Sequence, residues 1–391
     1  MNATAPSDRR HRDLVVIGAS AGGVDALKEV VAGLDARLPA TVCIVLHISP
    51  DAPSALARIL HRAGSLPCRE AREGEALRPG EILVAPPDRH LTIEDGHVHL
   101  SAGPRENGHR PAVDPLFRSA AQARDGRVVG VVLSGNRDDG SAGLALIKEC
   151  GGAAIVQDPS EALYPGMPSN AIANVEVDTV ARVADIAAVI GEMVRESTPL
   201  SSAENVPDSH AELAAGNPGP PAGNPGRAAG NPGPPAGNPG PLSGNPGHPV
   251  AQPNPSDPRA DRAANGEDAV VVCPDCGGVL NEEVIAGVVQ WRCLVGHRYS
   301  PDSLADAQAR GVERALETAI RALDERGALL ERMAAQFQRR SQTHSAKRFR
   351  ARAANARREA DLVREVLITA AQDTLRSGEN DIDSPDAAVN N

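Results

Sequence analysis

With 391 residues the chain has room for two or three domains, and with aromatics at only 2% any core must be built from Val, Ile, Leu and Ala. A net charge of −11 argues against nucleic-acid binding by the whole molecule, although eight Lys or Arg residues and no acid lie between Arg339 and Arg358. The polar start from Met1 to Asp13 lacks an apolar leader, no run of 18 apolar residues follows, and six cysteines are too few for a disulfide scaffold, so the expected setting is cytoplasmic.

The first informative stretch is Val15-Val16-Ile17-Gly18-Ala19-Ser20-Ala21-Gly22-Gly23, followed by an amphipathic pattern through Val24, Leu27, Val30, Val31 and Leu34. A β-branched run that breaks into Gly-x-Ser-x-Gly and then a helix has the form of a nucleophile elbow, in which a tight turn presents one serine hydroxyl beside free helix N-terminal N–H groups. Two other readings compete. The glycines could be a degenerate dinucleotide fingerprint, but Ser20 takes the place of its second glycine, and the next strand ends in His47 where a ribose-binding acid is expected. The turn could also be no more than a tight joint.

Residues 14 to 195 alternate apolar runs with helical patterns, the rhythm of an α/β domain with a parallel sheet. Strands are expected near 14–17, 41–46, 81–84, 129–133 and 153–156, and helices near 23–35, 54–63, 113–124, 140–150 and 181–195. Asp95-Gly96 between two alternating runs predicts a hairpin with a type I′ turn, added at the sheet edge. Cys43 and Cys150 read as core residues.

If the first two runs are parallel neighbours, Ser20 and His47 share one rim of the sheet. The run Val131-Val132-Leu133 ends in Ser134-Gly135-Asn136-Arg137-Asp138-Asp139-Gly140, which places a carboxylate at the same rim. Open α/β sheets gather their chemistry there. The order Ser…His…Asp differs from the Ser…Asp…His of α/β-hydrolases, so the same chemistry would sit on another fold.

From about 198 to 265 Gly-Asn-Pro-Gly recurs at 216, 223, 230, 237 and 244, a composition expected of a disordered linker. A short module over 266–300 then carries Cys273-x2-Cys276 and Cys293-x3-His297, a ligand set suited to structural tetrahedral zinc. With so little core, the module would draw folding free energy from the metal. A catalytic metal is not expected, because all four positions are filled by protein.

Residues 301–375 read as two long helices, either a helical hairpin or a self-associating coiled coil. One apolar stripe runs Ala305, Ala309, Val312, Leu316, Ile320, Leu323, Leu330, Met333, Phe337, and the other Phe349, Ala353, Ala356, Ala360, Val363, Leu367, Ala370. The basic run spans the join, either as a solvated face or as a contact for an acidic partner or anionic membrane surface. Residues 1–12 and 376–391 are expected to be disordered tails.

Residues 13 to about 195 resemble the catalytic domain of the chemotaxis receptor methylesterases, the CheB family. The resemblance is carried by Ile17-Gly18-Ala19-Ser20-x-Gly22-Gly23, His47 with Ser49-Pro50, Ala85-Pro86-x-Asp88-x-His90, Arg110-Pro111-Ala112-Val113-Asp114-x-Leu116-Phe117, Leu133-Ser134-Gly135, Asp139-Gly140, Gly143 and Gly166-Met167-Pro168. It implies a doubly wound, mostly parallel sheet, with Ser20 as nucleophile, His47 as general base and Asp139 rather than Asp138 as orienting acid. Backbone N–H groups of Ala21 and Asn136 would hold the oxyanion.

The implied activity is hydrolysis of glutamate methyl esters on chemoreceptors, with glutamine deamidation by the same chemistry and no catalytic cofactor. Threonine usually follows the nucleophile in this family, and Met-Gly-x usually precedes the acid. Here Ala21 and Asn136-Arg137-Asp138 stand instead. The family's N-terminal phosphorylation-receiver domain has no counterpart ahead of the first strand, and the expectation is that the linker, ribbon and helices replace it as a docking or regulatory unit. The competing class is a signalling scaffold with a vestigial esterase domain.

Overall fold

The computed structural model describes residues 10–48, 55–198 and 271–380. The Gly-Asn-Pro-Gly repeats, the first nine residues, Ser49-Pro50 and the acidic end from 381 lie outside the described residues.

Short β-branched runs alternate with amphipathic helices and wind into one layered domain. In chain order come β1 (Arg10–His11), β2 (Leu14–Ala19), α1 (Gly23–Gly33), β3 (Thr41–Leu46), α2 (Leu56–Ala63), β4 (Cys68–Glu70) and β5 (Ile82–Val84). They are followed by β6 (His90–Glu94), β7 (His97–Ser101), α3 (Val113–Arg124), β8 (Val128–Val132), α4 (Ser141–Glu149), β9 (Ala153–Gln157), α5 (Gly166–Asn174), β10 (Thr179–Ala181), α6 (Val183–Arg195) and β11 (Ser197–Thr198). The seven-stranded sheet has the order β10-β9-β8-β2-β3-β5-β4, and every pairing in it is parallel.

Strand β2 lies at the centre because both of its faces are apolar. Val15 and Ile17 pack with Leu27, Val30, Leu60 and Ile190 on one side, while Leu14 and Val16 pack with Phe117, Leu144 and Ile147 on the other. A strand buried on both faces needs such a continuous apolar run. The chain leaves β2 toward β3 and later returns to its other side as β8, so the switch point of the winding lies at the carboxyl end of β2.

Two expectations change. The Asp95-Gly96 turn has both residues at positive φ, as a type I′ turn requires, but β6 and β7 form their own two-stranded sheet against α3 instead of extending the main one. The edges of the main sheet are instead the three-residue strands β4 and β10. Arg10–His11, assigned from sequence to the tail, pairs with Ser197–Thr198 and so joins the two ends of the domain.

The C-terminal part contains β12 (Leu280–Ile285), β13 (Val288–Cys293) and β14 (Arg298–Tyr299) in a three-stranded antiparallel sheet, then α7 (Pro301–Arg339) and α8 (Thr343–Asn380). The helices form a hairpin closed by Leu330, Ala334, Phe349 and Ala353, with Phe337 stacked on Phe349. The first half of the α8 stripe holds, with Phe349, Ala353, Ala356 and Ala360 all buried, and Val363 and Leu367 are half-buried. The first half of the α7 stripe does not: Ala305, Ala309 and Val312 are exposed, and Leu304 and Ala307 turn inward instead. They pack under the ribbon beside Tyr299, one and two residues before the positions expected from sequence alone.

Candidate active site

The site begins with a turn that favours glycine. Gly22, the residue before α1, has φ 71°, while Ser20 itself is not among the residues at positive φ, so the turn's strain falls two residues beyond the hydroxyl. Gly18 lets α3 close in, since a Cβ there would lie 2.3 Å from a Val113 methyl carbon. The Ser20 N–H donates to the Ser134 carbonyl (2.9 Å), and the Ser134 hydroxyl donates to the Ala21 carbonyl (2.9 Å), which ties the loops after β2 and β8 together.

His47 follows β3, the parallel neighbour of β2. Its Nδ1 lies 3.0 Å from Ser20 Oγ and its Nε2 lies 2.6 Å from Asp139 Oδ2. The partners assign the tautomer, because a carboxylate only accepts: Nε2 carries the proton and Nδ1 is free to accept the serine's. The His47 side chain is 6% exposed and Asp139 is 2% exposed, whereas Ser20 stays partly open to solvent.

Asp139 is held from several sides. Its Oδ2 also accepts from Val113 N–H (2.8 Å), and its Oδ1 accepts from Asp114 N–H (3.1 Å) and Asn107 Nδ2 (2.8 Å). Burial alone would raise its pKa, but the His47 partner and these donors hold it well below the usual carboxylate range. The neighbouring Asp114 goes the other way, pushed up to about 7 by burial and then by the Asp139 charge. Asp138 is turned away from His47; it accepts from the Ser300 and Ser303 hydroxyls (2.5 and 2.9 Å) and from Asp302 N–H (3.1 Å).

Across the turn, Ala21 and Asn136 present backbone N–H groups that donate to no partner among the described residues. The Asn136 loop is shaped by the segment before α5. Gly135 N–H donates to the Tyr164 carbonyl (2.9 Å) and Met167 N–H to the Gly135 carbonyl (2.7 Å), and a Cβ on Gly135 would meet Ser20 Cβ at 2.8 Å. Arg137 does not stand free beside the site, since its Nε donates to Asp306 at 2.7 Å.

Four site residues are absent from the sequence reading. His109 stacks on His47 with ring centroids 3.8 Å apart and 7° between planes, and burial, then the neighbouring His47, pulls its pKa down to about 3, so it is a neutral lid over the imidazole. Asn107 reaches Asp139 from the Asn107-Gly108 turn, where both residues have positive φ. That Asn-Gly pair just before the Arg110-Pro111 block was the available signal. Ser300 and Gln290 arrive from the C-terminal part, and no local pattern marks them.

The chain has close relatives. A family model described as CheB methylesterase matches residues 15–190. A putative protein-glutamate methylesterase/protein-glutamine glutaminase from Leptospira interrogans is 39% identical over 176 residues, 45% of this chain and 91% of that one. This chain belongs to the CheB methylesterase family. A relative from Anaeromyxobacter dehalogenans, named protein-glutamate methylesterase/protein-glutamine glutaminase 2, is 40% identical over 191 residues, 49% of this chain. The match spans only 56% of that relative's length. The catalytic domain of CheB methylesterase from Thermotoga maritima is 32% identical, with 46% of this chain and 98% of that one covered at a TM-score of 0.45. In this member of the CheB family the Asp88 and His90 block serves the framework. Asp88 receives the Arg110 guanidinium (2.6 and 2.9 Å), and His90 bridges the Pro104 carbonyl and Ala112 N–H.

The matched region ends before the second cluster. Cys273, Cys276, Cys293 and His297 offer ligand atoms that all lie within 4.8 Å of one another, and this group could hold a metal ion. The Cys276 and Cys293 sulfurs are 3.7 Å apart, and a tetrahedral site with metal–sulfur bonds of about 2.3 Å has edges of about 3.8 Å, so the residues fit. Both ligand turns end in a glycine at positive φ, Gly277 and Gly296. Burial works to raise the Cys293 thiol, but hydrogen bonds from His297 and nearby backbone bring it down to about 7. No helix among the described residues is long and apolar enough to cross a membrane.

Proposed function

We propose that this chain is a serine hydrolase that removes methyl esters from glutamate side chains of chemoreceptor-type signalling proteins and deamidates glutamine at the same positions. The observation that carries the reading is the unbroken line Ser20 Oγ–His47 Nδ1, His47 Nε2–Asp139 Oδ2, at 3.0 and 2.6 Å on the rim where such sheets bind their ligands.

Ser20 Oγ attacks the ester carbonyl carbon as its proton passes to His47 Nδ1. The imidazolium keeps its Nε2 proton on Asp139, whose ionised state suits it to that charge. The tetrahedral oxyanion is taken up by the free N–H groups of Ala21 and Asn136. Collapse breaks the bond to the methoxy oxygen, which leaves as methanol with the proton from Nδ1. Water then attacks the acyl-serine and gives a proton to Nδ1; as the acyl–oxygen bond breaks that proton passes to Ser20 Oγ, restoring the serine and releasing the glutamate carboxyl. With glutamine the leaving group is ammonia.

The scaffold reading, with a vestigial site, would leave no reason for all three side chains to stay within proton-relay distance. Cys273, Cys276, Cys293 and His297 would bind zinc as a structural ion; with every position filled by protein, it supplies folding free energy and no Lewis acid for the ester. The test is methanol release from a methylated chemoreceptor. Wild-type chain should release it, and Ser20→Ala should lose activity by about 10⁶-fold, as nucleophile removal does in serine proteases. Equal release by both would end the proposal.

A further inference from the structure

The ribbon is not tethered beside the catalytic domain but is built into it. Ile285 and Val288, at the tip of the β12–β13 hairpin, belong to the same apolar cluster as Phe117, Leu144 and Met167. Strand β14 runs beside the 105–107 segment, with Asn107 N–H donating to the Arg298 carbonyl (2.8 Å). Two ribbon side chains then reach the network around Asp139. Ser300 N–H and Oγ lie 2.8 and 3.0 Å from Asn107 Oδ1, and Gln290 Nε2 donates to Asp114 Oδ2 at 3.0 Å. All four of these side chains are buried.

Ser300 decides the direction of the Asn107 amide. The one Ser300 hydroxyl proton goes to Asp138 (2.5 Å), so the anchor on Asn107 Oδ1 is the Ser300 N–H; with Oδ1 turned to it, the Asn107 NH2 must face the carboxylates, and it donates to Asp139 Oδ1 and Asp114 Oδ2 (2.8 and 3.2 Å). Without that anchor the amide could flip and set its oxygen against Asp139, leaving a buried carboxylate short of a donor. Among the described residues, no hydrogen bond or ion pair runs from the ribbon or α7 to Ser20 or His47, and Ser20 stays partly open. The ribbon therefore braces the acid end of the line without covering the nucleophile. The metal-ligand pair is placed to control this brace: Gln290 lies three residues before Cys293, and Ser300 three after His297.

We propose that the Cys3His ribbon is a positioning element of the catalytic site: Ser300 and Gln290 fix Asn107 and Asp114, these fix the Asp139 carboxylate against His47, and metal binding in the ribbon thereby sets the alignment of the serine. The inference rests on the reading of Ser20, His47 and Asp139 given above.

The test uses the full chain, a fluorophosphonate probe for Ser20, p-nitrophenyl acetate as small ester, and the downfield proton resonance of His47 Nε2–H. Ser300→Pro, which removes the anchoring N–H at a φ of −77° that proline accepts, should slow labelling and lower kcat about tenfold with KM unchanged, a fraction of the roughly 10²-fold that a 1 Å misplacement can cost, because Asp139 keeps its backbone donors. The resonance should broaden or shift, and Ser300→Thr, which keeps both the N–H and the hydroxyl, should restore all three. Gln290→Leu should act in the same direction and serves if Ser300→Pro folds poorly by its melting curve. Stripping zinc with a chelator should slow labelling to the same extent, with added zinc restoring both metal content and rate. Labelling of Ser300→Pro and Gln290→Leu at or above the wild-type rate overturns the brace, as does a metal-stripped chain that labels like the loaded one. A wild-type chain that labels no faster than Ser20→Ala overturns the serine reading itself, and the brace falls with it.

Discussion

Asp139 and Asp114 face the same buried amide yet carry opposite tendencies, and the cause is their donors. Asp139 has His47, two backbone N–H groups and Asn107, whereas Asp114 has Gly143 N–H on one oxygen and shared or single side-chain donors on the other. Burial and the Asp139 charge raise Asp114 to about 7; Arg118 opposes this and Glu106 adds to it. The sign of the consequence follows from proton counting. Between the ordinary value of 3.8 and about 7 the folded chain holds a proton that the unfolded chain has lost, so the contribution is fully present at low pH and is lost as pH rises through 7. Asp139 works in the opposite sense, its contribution present above 3.8 and lost in acid. A protonated Asp114 also has an acceptor to hand, since Gln290 Oε1 is buried without a partner among the described residues and amide flips exchange its two ends. Asp114→Asn, which is neutral at every pH, should therefore flatten the fall in Tm between pH 5 and pH 8. Parallel wild-type and variant curves would contradict the assignment.

At the scale of elements, the site depends on how closely loops approach one another. Gly135 has Met167 Sδ 2.1 Å and Ser20 Cβ 2.8 Å from where its Cβ would stand, so Gly135→Ala must push either the α5 segment or Ser20. Overpacking of this kind costs about 1–3 kcal/mol, and a displaced Ser20 should slow fluorophosphonate labelling by about tenfold or more. Gly311→Ala, in an α7 interior with open space around it, is the control and should raise Tm slightly. The same closeness explains what the sequence made legible. β2, β3 and β8 are runs of Val, Ile and Cys buried on both faces, and α3 begins and ends where its pattern does, so Ser20, His47 and Asp139 could be set on one rim from their strand ends alone. Helix α5 was invisible because Gly-Met-Pro-Ser-Asn-Ala-Ile-Ala-Asn buries only Met167, Pro168 and Ala171, too few for a stripe. β4 and β10 have three residues each, too short for any period. The Ser300 and Gln290 contacts join residues 193 and 176 positions apart from their partners, and no local pattern encodes such a meeting.

For the molecule as a whole, the question is whether the ribbon and the catalytic domain unfold together. Their shared features argue for one unit. Ile285 and Val288 complete the apolar layer over α3 and α4, Gln290 and Asn107 are buried between the two parts, and Asp138 of the catalytic domain supplies acceptors at the start of α7 that the helix's own Ser300 side chain does not. A ribbon of thirty residues read alone would owe its folding to metal, whereas here the catalytic domain shares that role. Deleting residues 198–391 would uncover this layer and remove the donors to Asn107, so the truncated chain should melt early and label slowly. The decisive measurement keeps the chain intact. Ile285→Ala deletes a side chain that is 2% exposed, and such a deletion costs about 3 kcal/mol. In a shared unit of this size that lowers the Tm of the catalytic-domain transition by roughly 6–12 °C. A ribbon folding by itself would instead pass the loss to a separate, minor transition and leave the main one in place. Calorimetry separates the two outcomes, and zinc removal, which loosens the hairpin at its other end, should shift the same transition in the same direction.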